Sequence, residues 1–307
     1  MYSKNPYNEK IIKNYKSYNK NKTIDLIDNA QKAFIKWKSI TIKNRIKTIR
    51  KIKNNLLSKK MHCAYKITYE MGKPIKESIA EIDKCVWVCD YYIENAEQFL
   101  EPEIIKTDAR KSYVSFEPMG VILGIMPWNF PFWQVFRFVI PAILSGNTTI
   151  VKHASNVSGC CLIIEDIFSD NIDYKVFSCL LLPASEVENV IKNPIVKAIS
   201  LTGSEKAGSS VGSIAGSEIK KILLELGGAD AFIVCKDADI TKASEKAVLG
   251  RMLNAGQSCI AAKRFIVHKD IKEKFIDNVI DILDNMKLDD PSNIKTQIGP
   301  LARKDIL

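Results

Sequence analysis

Three side chains stand out for the chemistry that their types and settings allow. Cys259 lies in Gly256-Gln257-Ser258-Cys259-Ile260-Ala261-Ala262, a loop of small residues between a helical pattern and a strand, where a thiol can reach a substrate. The thiolate is the nucleophilic form and an unperturbed cysteine titrates near pH ~8.5, so such a site needs a proton acceptor. Glu225 closes the apolar run of Leu224-Glu225-Leu226-Gly227-Gly228, and the two glycines after it permit close approach of backbone or ligand, which suits a general base. Asn129 stands between two aromatics and two prolines in Pro127-Trp128-Asn129-Phe130-Pro131, a rigidly held amide donor of the kind an oxyanion hole requires. Taken singly, Cys259 also reads as packing and Glu225 as a strand-end residue held by its loop. The sequence places none of His62, His153 and His268 beside Cys259, as a cysteine protease would require.

An anion site is the next candidate. Thr202-Gly203-Ser204-Glu205-Lys206-Ala207-Gly208-Ser209-Ser210 follows an apolar strand and opens a helix, where backbone N–H groups attract phosphate. The spacing of Gly203 and Gly208 approaches a P-loop, but Ser209 occupies the phosphate-binding lysine position and no GxGxxG occurs, so both nucleotide fingerprints fail. The segment reads either as a pyrophosphate cradle or as an ordinary capped helix after a tight turn.

These residues depend on the elements around them. Ile75, Ile79, Ile82, Val86, Cys89, Ile93, Ala96 and Leu100 recur at alternating spacings of four and three and predict one face of a long helix. Leu26, Ile27, Ala30, Ala33, Phe34 and Trp37 predict a shorter one, within a helical pattern running from Thr23 to about Leu100. Tyr113 to Phe116 alternates like a half-exposed strand, and Val121 to Ile125 is a continuous apolar run suited to burial on both faces. From Thr148 onward strands and helices alternate: strands at 148–151, 176–180, 198–201, 231–234 and 265–268, helices near 157–168, 186–191, 204 onward and 240–253. A last helix is predicted from Asp270-Ile271-Lys272-Glu273, which has capping-box spacing. Such alternation predicts an α/β fold with a parallel sheet and ligands at the carboxyl ends of its strands.

Composition narrows the function classes. The 307 residues carry 45 Lys and Arg against 35 Asp and Glu, a net charge of +10, with 46% hydrophobic residues, which is globular rather than disordered and long enough for about two domains. The basic excess is mostly lysine dispersed through Lys/Asn/Ile-rich stretches, not a focused patch, which argues against a nucleic-acid partner. No apolar stretch reaches membrane length, and Met1 to Asn5 is polar with no apolar signal core behind it, so a soluble cytoplasmic protein is expected. The eight cysteines and three histidines show no metal spacing, so no metal is expected, and every cysteine but Cys259 is read as a reduced core residue.

Pro127-Trp128-Asn129-Phe130-Pro131, Val151-Lys152-His153-Ala154-Ser155, Leu201-Thr202-Gly203-Ser204-Glu205, Glu225-Leu226-Gly227-Gly228 and Gly256-Gln257-Ser258-Cys259, in this order, resemble the NAD(P)-dependent aldehyde dehydrogenase superfamily. The run Phe132-Trp133-Gln134-Val135-Phe136-Arg137-Phe138 resembles its succinate-semialdehyde branch. The resemblance implies that Cys259 attacks the aldehyde carbon, giving a thiohemiacetal that yields hydride to the nicotinamide and leaves a thioester. It makes Glu225 the base for the hydrolytic water, and Asn129 and the Cys259 backbone N–H the oxyanion donors. Trp128, Lys152, Ser155, Gly203, Ser204 and Leu226 would meet the cofactor, with NADP favoured over NAD because Ser155 stands where NAD-selective relatives place a Glu. Arg137 would receive the distal carboxylate of the semialdehyde.

The same resemblance implies a Rossmann-type cofactor domain from residues 1–102 and 119–226, an oligomerisation arm at 103–118 and a catalytic domain at 227–307. Relatives continue past the Gly299-Pro300 near the end of this chain, so the catalytic domain is expected to be incomplete, the chain marginally soluble with little or no aldehyde dehydrogenase activity, and the family's homo-oligomer poorly formed. Two other readings stand beside this one. The first is a non-catalytic fragment that at most binds dinucleotide. The second is an acylating dehydrogenase using coenzyme A, against which Glu225 argues.

Overall fold

The computed structural model describes residues 1–307. A small antiparallel pair, β1 (Tyr2–Lys4) and β2 (Ile11–Asn14), precedes four helices: α1 (Lys20–Trp37), α2 (Ile42–Ser58), α3 (Lys60–Met71) and α4 (Ile75–Phe99). The helical pattern read from Thr23 to Leu100 is therefore divided. Gly72 in the left-handed region (φ 80°) ends α3, and Pro74 caps α4. An exposed antiparallel pair follows, β3 (Glu103–Ile104) and β4 (Tyr113–Val114). The chain then alternates through β5 (Val121–Met126), α5 (Trp133–Leu144), β6 (Thr148–His153), α6 (Ser158–Ser169), β7 (Phe177–Cys179), α7 (Val187–Lys192), β8 (Val196–Thr202), α8 (Glu205–Ser217) and β9 (Lys221–Glu225). It continues with β10 (Ala231–Val234), α9 (Ile240–Met252), β11 (Arg264–Val267) and α10 (Lys272–Asp284).

Strands β5 to β9 form one parallel sheet in the spatial order β7-β6-β5-β8-β9. The chain winds outward from β5 to β7, then resumes on the other side of β5 with β8. A crevice therefore opens at the carboxyl ends of β5 and β8, the position where open α/β sheets bind ligands. The apolar run of β5 needs helices on both faces, and has them. Val121 and Leu123 join a cluster of 16 buried residues with Ile27 of α1, Ile191 of α7 and Ala215 of α8. Met126 joins a larger cluster of 35 that contains Ile49 of α2, Ile67 of α3, Ile82 of α4, Phe136 of α5 and Ile164 of α6.

Strands β10 and β11 form a separate two-stranded parallel sheet around α9, with a core cluster of only three buried residues, Val234, Ala247 and Phe275. Ile233 (67%), Leu249 (63%) and Ile266 (52%) remain largely exposed there. The segment before α4 is tied down from elsewhere. A Cβ on Gly299 would lie 2.0 Å from the Gly72 carbonyl oxygen, so only glycine permits this crossing, and the Ile75 N–H donates to Pro291 O at 2.8 Å. Lys73 and Glu81 pair with side chains 0% and 1% exposed, and Glu81 Oε1 accepts the N–H groups of Phe132 (2.8 Å) and Trp133 (3.0 Å) at the start of α5. Removing one partner of such a pair typically costs about 3–5 kcal/mol, because the other charge is left buried and uncompensated.

The structure corrects two local readings. Cys161 of α6 and Cys179 of β7 form a disulfide across a Cα separation of 6.3 Å, and Cys235 is exposed, so the expectation of reduced core cysteines fails at these three. The helix packs on its own following strand, which brings together two residues 18 positions apart. The capping box expected at Asp270 does not form. A short 3₁₀ turn over Lys269–Ile271 intervenes, and His268 Nδ1 accepts the Asp270 N–H instead. No helix is long and apolar enough to cross a membrane.

Candidate active site

Strands β5, β8 and β9 end at one edge of the sheet, and the loops leaving them meet the Cys259 loop around a cavity of about 600 Å³. Trp128 and Asn129 line it after β5, Thr202, Gly203 and Ser204 at the end of β8, Glu225 and Leu226 at the end of β9, and Gly256 to Cys259 from the loop after α9. Parallel pairing brings the loops after β5, β8 and β9 to one side of the sheet, and the Cys259 loop, which precedes β11 of the separate sheet, is joined to them by hydrogen bonds of Gln257 O and Asn254 Nδ2 with Asn129. Asn129, Glu225 and Cys259, distant in sequence, thus share one cavity.

Asn129 is held by two hydrogen bonds to the Cys259 loop. Its Nδ2 donates to Gln257 O at 3.0 Å, its backbone oxygen accepts from Asn254 Nδ2 at 2.8 Å, and its Oδ1 is buried without a partner. An amide NH2 has two hydrogens, so one remains for a ligand. Cys259 is a free thiol, partly exposed in the cavity wall. Glu225 is half-exposed, with Arg137 Nη2 at 3.5 Å from its Oε2. Arg137 does not line the cavity; it also donates to Thr202 Oγ1 at 3.3 Å.

The anion-binding features lie alongside. Ser204 caps α8 by accepting the Ala207 N–H at 3.3 Å, so the helix start opens into the crevice through Gly203 and Ser204. One turn further, a Cβ on Gly208 would fall 2.7 Å from Leu226 Cδ2, so glycine allows α8 to close on the end of β9. Lys152 near the end of β6 and Ser155 in the turn after it do not line this cavity. Burial pushes the Lys152 ammonium below its usual pKa, and no carboxylate acts against that shift. A half-buried ammonium without a counter-charge at the carboxyl edge of the sheet has the chemistry to receive an anionic or polyhydroxyl ligand.

Between them, His153 is buried. Its Nδ1 accepts the Ala154 N–H (2.9 Å), so its Nε2 carries the proton donated to Pro131 O (2.8 Å) and the ring is neutral. Burial pushes its pKa down to about 4.

Pattern reading does not single out four further residues around the cavity. Gln134 on α5 lines it, 2% exposed, with Oε1 unpartnered; a polar residue among the apolar positions opening α5 was the available signal. Arg251 donates to Gly256 O at 3.2 Å, and the Arg303 guanidinium lies 5.5 Å from the Trp128 ring centre. Asn254, 1% exposed, bridges Asn129 O and Gln257 O. Nothing in their spacing distinguishes Arg251, Arg303 or Asn254 from surface or loop residues.

Comparison with known proteins agrees with this geometry. The chain is 42% identical over 304 residues to a probable succinate-semialdehyde dehydrogenase (NADP+) of Synechocystis, covering 99% of the chain and 67% of that relative. It is 48% identical over 240 residues to the succinate-semialdehyde dehydrogenase (NADP+) of Mycobacterium avium, covering 77% of the chain and 51% of that protein. The chain therefore spans about half to two thirds of the length of these relatives. Among solved structures, succinic semialdehyde dehydrogenase from Streptococcus pyogenes in complex with NADP+ superposes with a TM-score of 0.96 at 30% identity, over 99% of this chain and 67% of that one. The model of the aldehyde dehydrogenase family matches residues 1–306, and with that match, the doubly wound sheet and the cavity at its switch point, the chain belongs to the aldehyde dehydrogenase family.

Proposed function

We propose that the chain forms the cofactor-binding and thiol-bearing part of an aldehyde dehydrogenase that oxidises succinate semialdehyde, or a similar ω-oxo acid, with NADP accepted in preference to NAD. The observation that carries this reading is the convergence of Asn129, Glu225 and Cys259 on one cavity beside the start of α8. The names of the relatives support the substrate and cofactor.

In this reading the Cys259 thiolate attacks the aldehyde carbon. The free Asn129 N–H and the Cys259 backbone N–H hold the oxyanion that develops as the C=O bond opens, a contribution on the order of a hundredfold in rate per donor. A bound nicotinamide would supply the acceptor for the hydride that the carbon loses. Glu225 takes a proton from water as it attacks the resulting thioester, and the carbon–sulfur bond breaks to give the carboxylate and the free thiol. Gly203, Ser204 and the α8 start would hold the pyrophosphate. Trp128 and Leu226 would flank the cofactor, and Lys152 and Ser155 would meet the ribose end. Residues 1–102 and 119–226 would form the cofactor domain, 227–307 the thiol-bearing domain, and the exposed β3–β4 pair within 103–118 a subunit-pairing arm.

The test is NADPH formation from succinate semialdehyde by the 307-residue chain, with Cys259→Ser as the control. Turnover lost in the variant is expected; turnover that survives Cys259→Ser refutes the thiol mechanism. The largely exposed Ile233, Leu249 and Ile266 favour a second reading, in which this chain alone binds dinucleotide without turning over. Saturable NADP binding without NADPH formation would decide for it.

A further inference from the structure

Helix α4 touches both loops that carry the candidate chemistry. Glu77, in its first turn, accepts the Asn254 backbone N–H on Oε2 at 2.8 Å. One turn later Glu81, paired with Lys73, accepts the Phe132 and Trp133 N–H groups, and the Lys73 ammonium lies 3.8 Å from the centre of the Phe130 ring. Spacing of four residues puts Glu77 and Glu81 on one side of the helix start, and Lys73 lies in the turn just before it. The Phe130–Trp133 segment next to Asn129 and the loop leading to Cys259 are thus both anchored to α4.

The Cys259 side of this arrangement needs an anchor. Asn254, Ala255 and Gly256 are successively left-handed, at φ 55°, 54° and 77°, a region that glycine adopts freely and asparagine tolerates but that the Ala255 Cβ disfavours. This turn presents the Asn254 side chain inward, where Nδ2 donates to Asn129 O (2.8 Å) and to Gln257 O (3.3 Å). Gln257 O also accepts Asn129 Nδ2 (3.0 Å), so one carbonyl and one amide join the two loops directly. The only carboxylate on the Asn254 N–H is that of Glu77.

We propose that Glu77 is a positioning residue: by holding the Asn254 amide it keeps the left-handed turn in register, and the Asn254 side chain transmits that position to Asn129. Glu77 does not line the cavity, so in this proposal it acts through Asn254 rather than on substrate or cofactor. The inference rests on the function proposed above only for its catalytic consequence, since the coupling of the two loops is a property of the fold.

The test compares the parent chain with Glu77→Ala and Glu77→Gln. Glutamine keeps an acceptor oxygen for the Asn254 N–H; alanine removes it. Amide hydrogen exchange is followed by mass spectrometry in peptides spanning 253–259, 128–131 and, as an internal reference, β5 and β6. Hydrogen bonds to charged groups are strong enough that Glu77→Ala is expected to speed exchange at 253–259 by about tenfold or more. It should also raise exchange measurably at 128–131 while leaving β5 and β6 within twofold, and Glu77→Gln should restore most of the protection. Exchange unchanged at 128–131, or raised equally in β5 and β6, overturns the proposal. Under turnover, Glu77→Ala is expected to lower kcat about tenfold with the Kd for NADP within twofold. A parent chain that gives no NADPH would count against the proposed function, while the exchange result would still decide the positioning role.

Discussion

Arg137 Nη2 stands 3.5 Å from Glu225 Oε2, with the two side chains 33% and 49% exposed, so the proposed substrate anchor and the proposed base are neighbours but not locked together. A long, half-exposed ion pair is worth at most about 1 kcal/mol, which leaves the guanidinium able to turn to a substrate carboxylate. Arg137→Ala is therefore expected to raise KM for succinate semialdehyde at least tenfold and for an uncharged aldehyde of equal length less than threefold. Equal increases for both substrates would remove Arg137 from carboxylate recognition and leave it as a neighbour of Glu225.

Cofactor preference should follow the charge at Ser155. In the proposed binding mode a hydroxyl there would not repel a 2′-phosphate, and the half-buried Lys152 ammonium would attract it. Ser155→Glu is expected to move the ratio of the NADP and NAD dissociation constants at least tenfold toward NAD, about 1.4 kcal/mol, as read by cofactor titration. A parent chain that already binds NAD tenfold more tightly than NADP would sink the assignment.

Asn129 should matter for rate more than for thiol access. Asn129→Ala removes the free amide hydrogen proposed to hold the oxyanion, and losses of this kind typically run to about 10²–10³ in kcat. Alkylation of Cys259 by iodoacetamide, which forms no tetrahedral oxyanion, is expected to stay within about threefold of the parent. A matching collapse of alkylation would mean that the substitution displaces the Cys259 loop through the lost contact with Gln257.

His153 predicts an acid-sensitive fold. Its pKa falls from 6.5 to about 4 because burial disfavours the imidazolium, and protonating Nδ1 would also break the bond from the Ala154 N–H. Between these values the unfolded chain binds a proton that the folded chain does not, so stability declines as pH falls from about 6.5 to about 4, by roughly 3 kcal/mol at most. Thermal melts across that window should show a steeper fall in Tm for the parent than for His153→Gln. Parallel slopes would show that His153 does not carry the effect.

Local pattern determined much of this protein. The alternating four-and-three spacing over Ile75 to Leu100 is the helix Ile75–Phe99, and the uninterrupted Val121–Ile125 is the central strand, because period and apolar continuity are properties of neighbouring residues. The motifs around Asn129, Glu225 and Cys259 were legible for the same reason: each is a short segment whose composition fits a loop at a strand or helix end. Tertiary structure alone decided what these segments meet. That Glu77 holds the Asn254 amide, that Arg137 lies against Glu225, and that Cys161 pairs with Cys179 depend on how the chain is wound. The strand order β7-β6-β5-β8-β9 and the packing of α4 bring residues from separate turns of the chain into contact, and no spacing along the sequence encodes those distances.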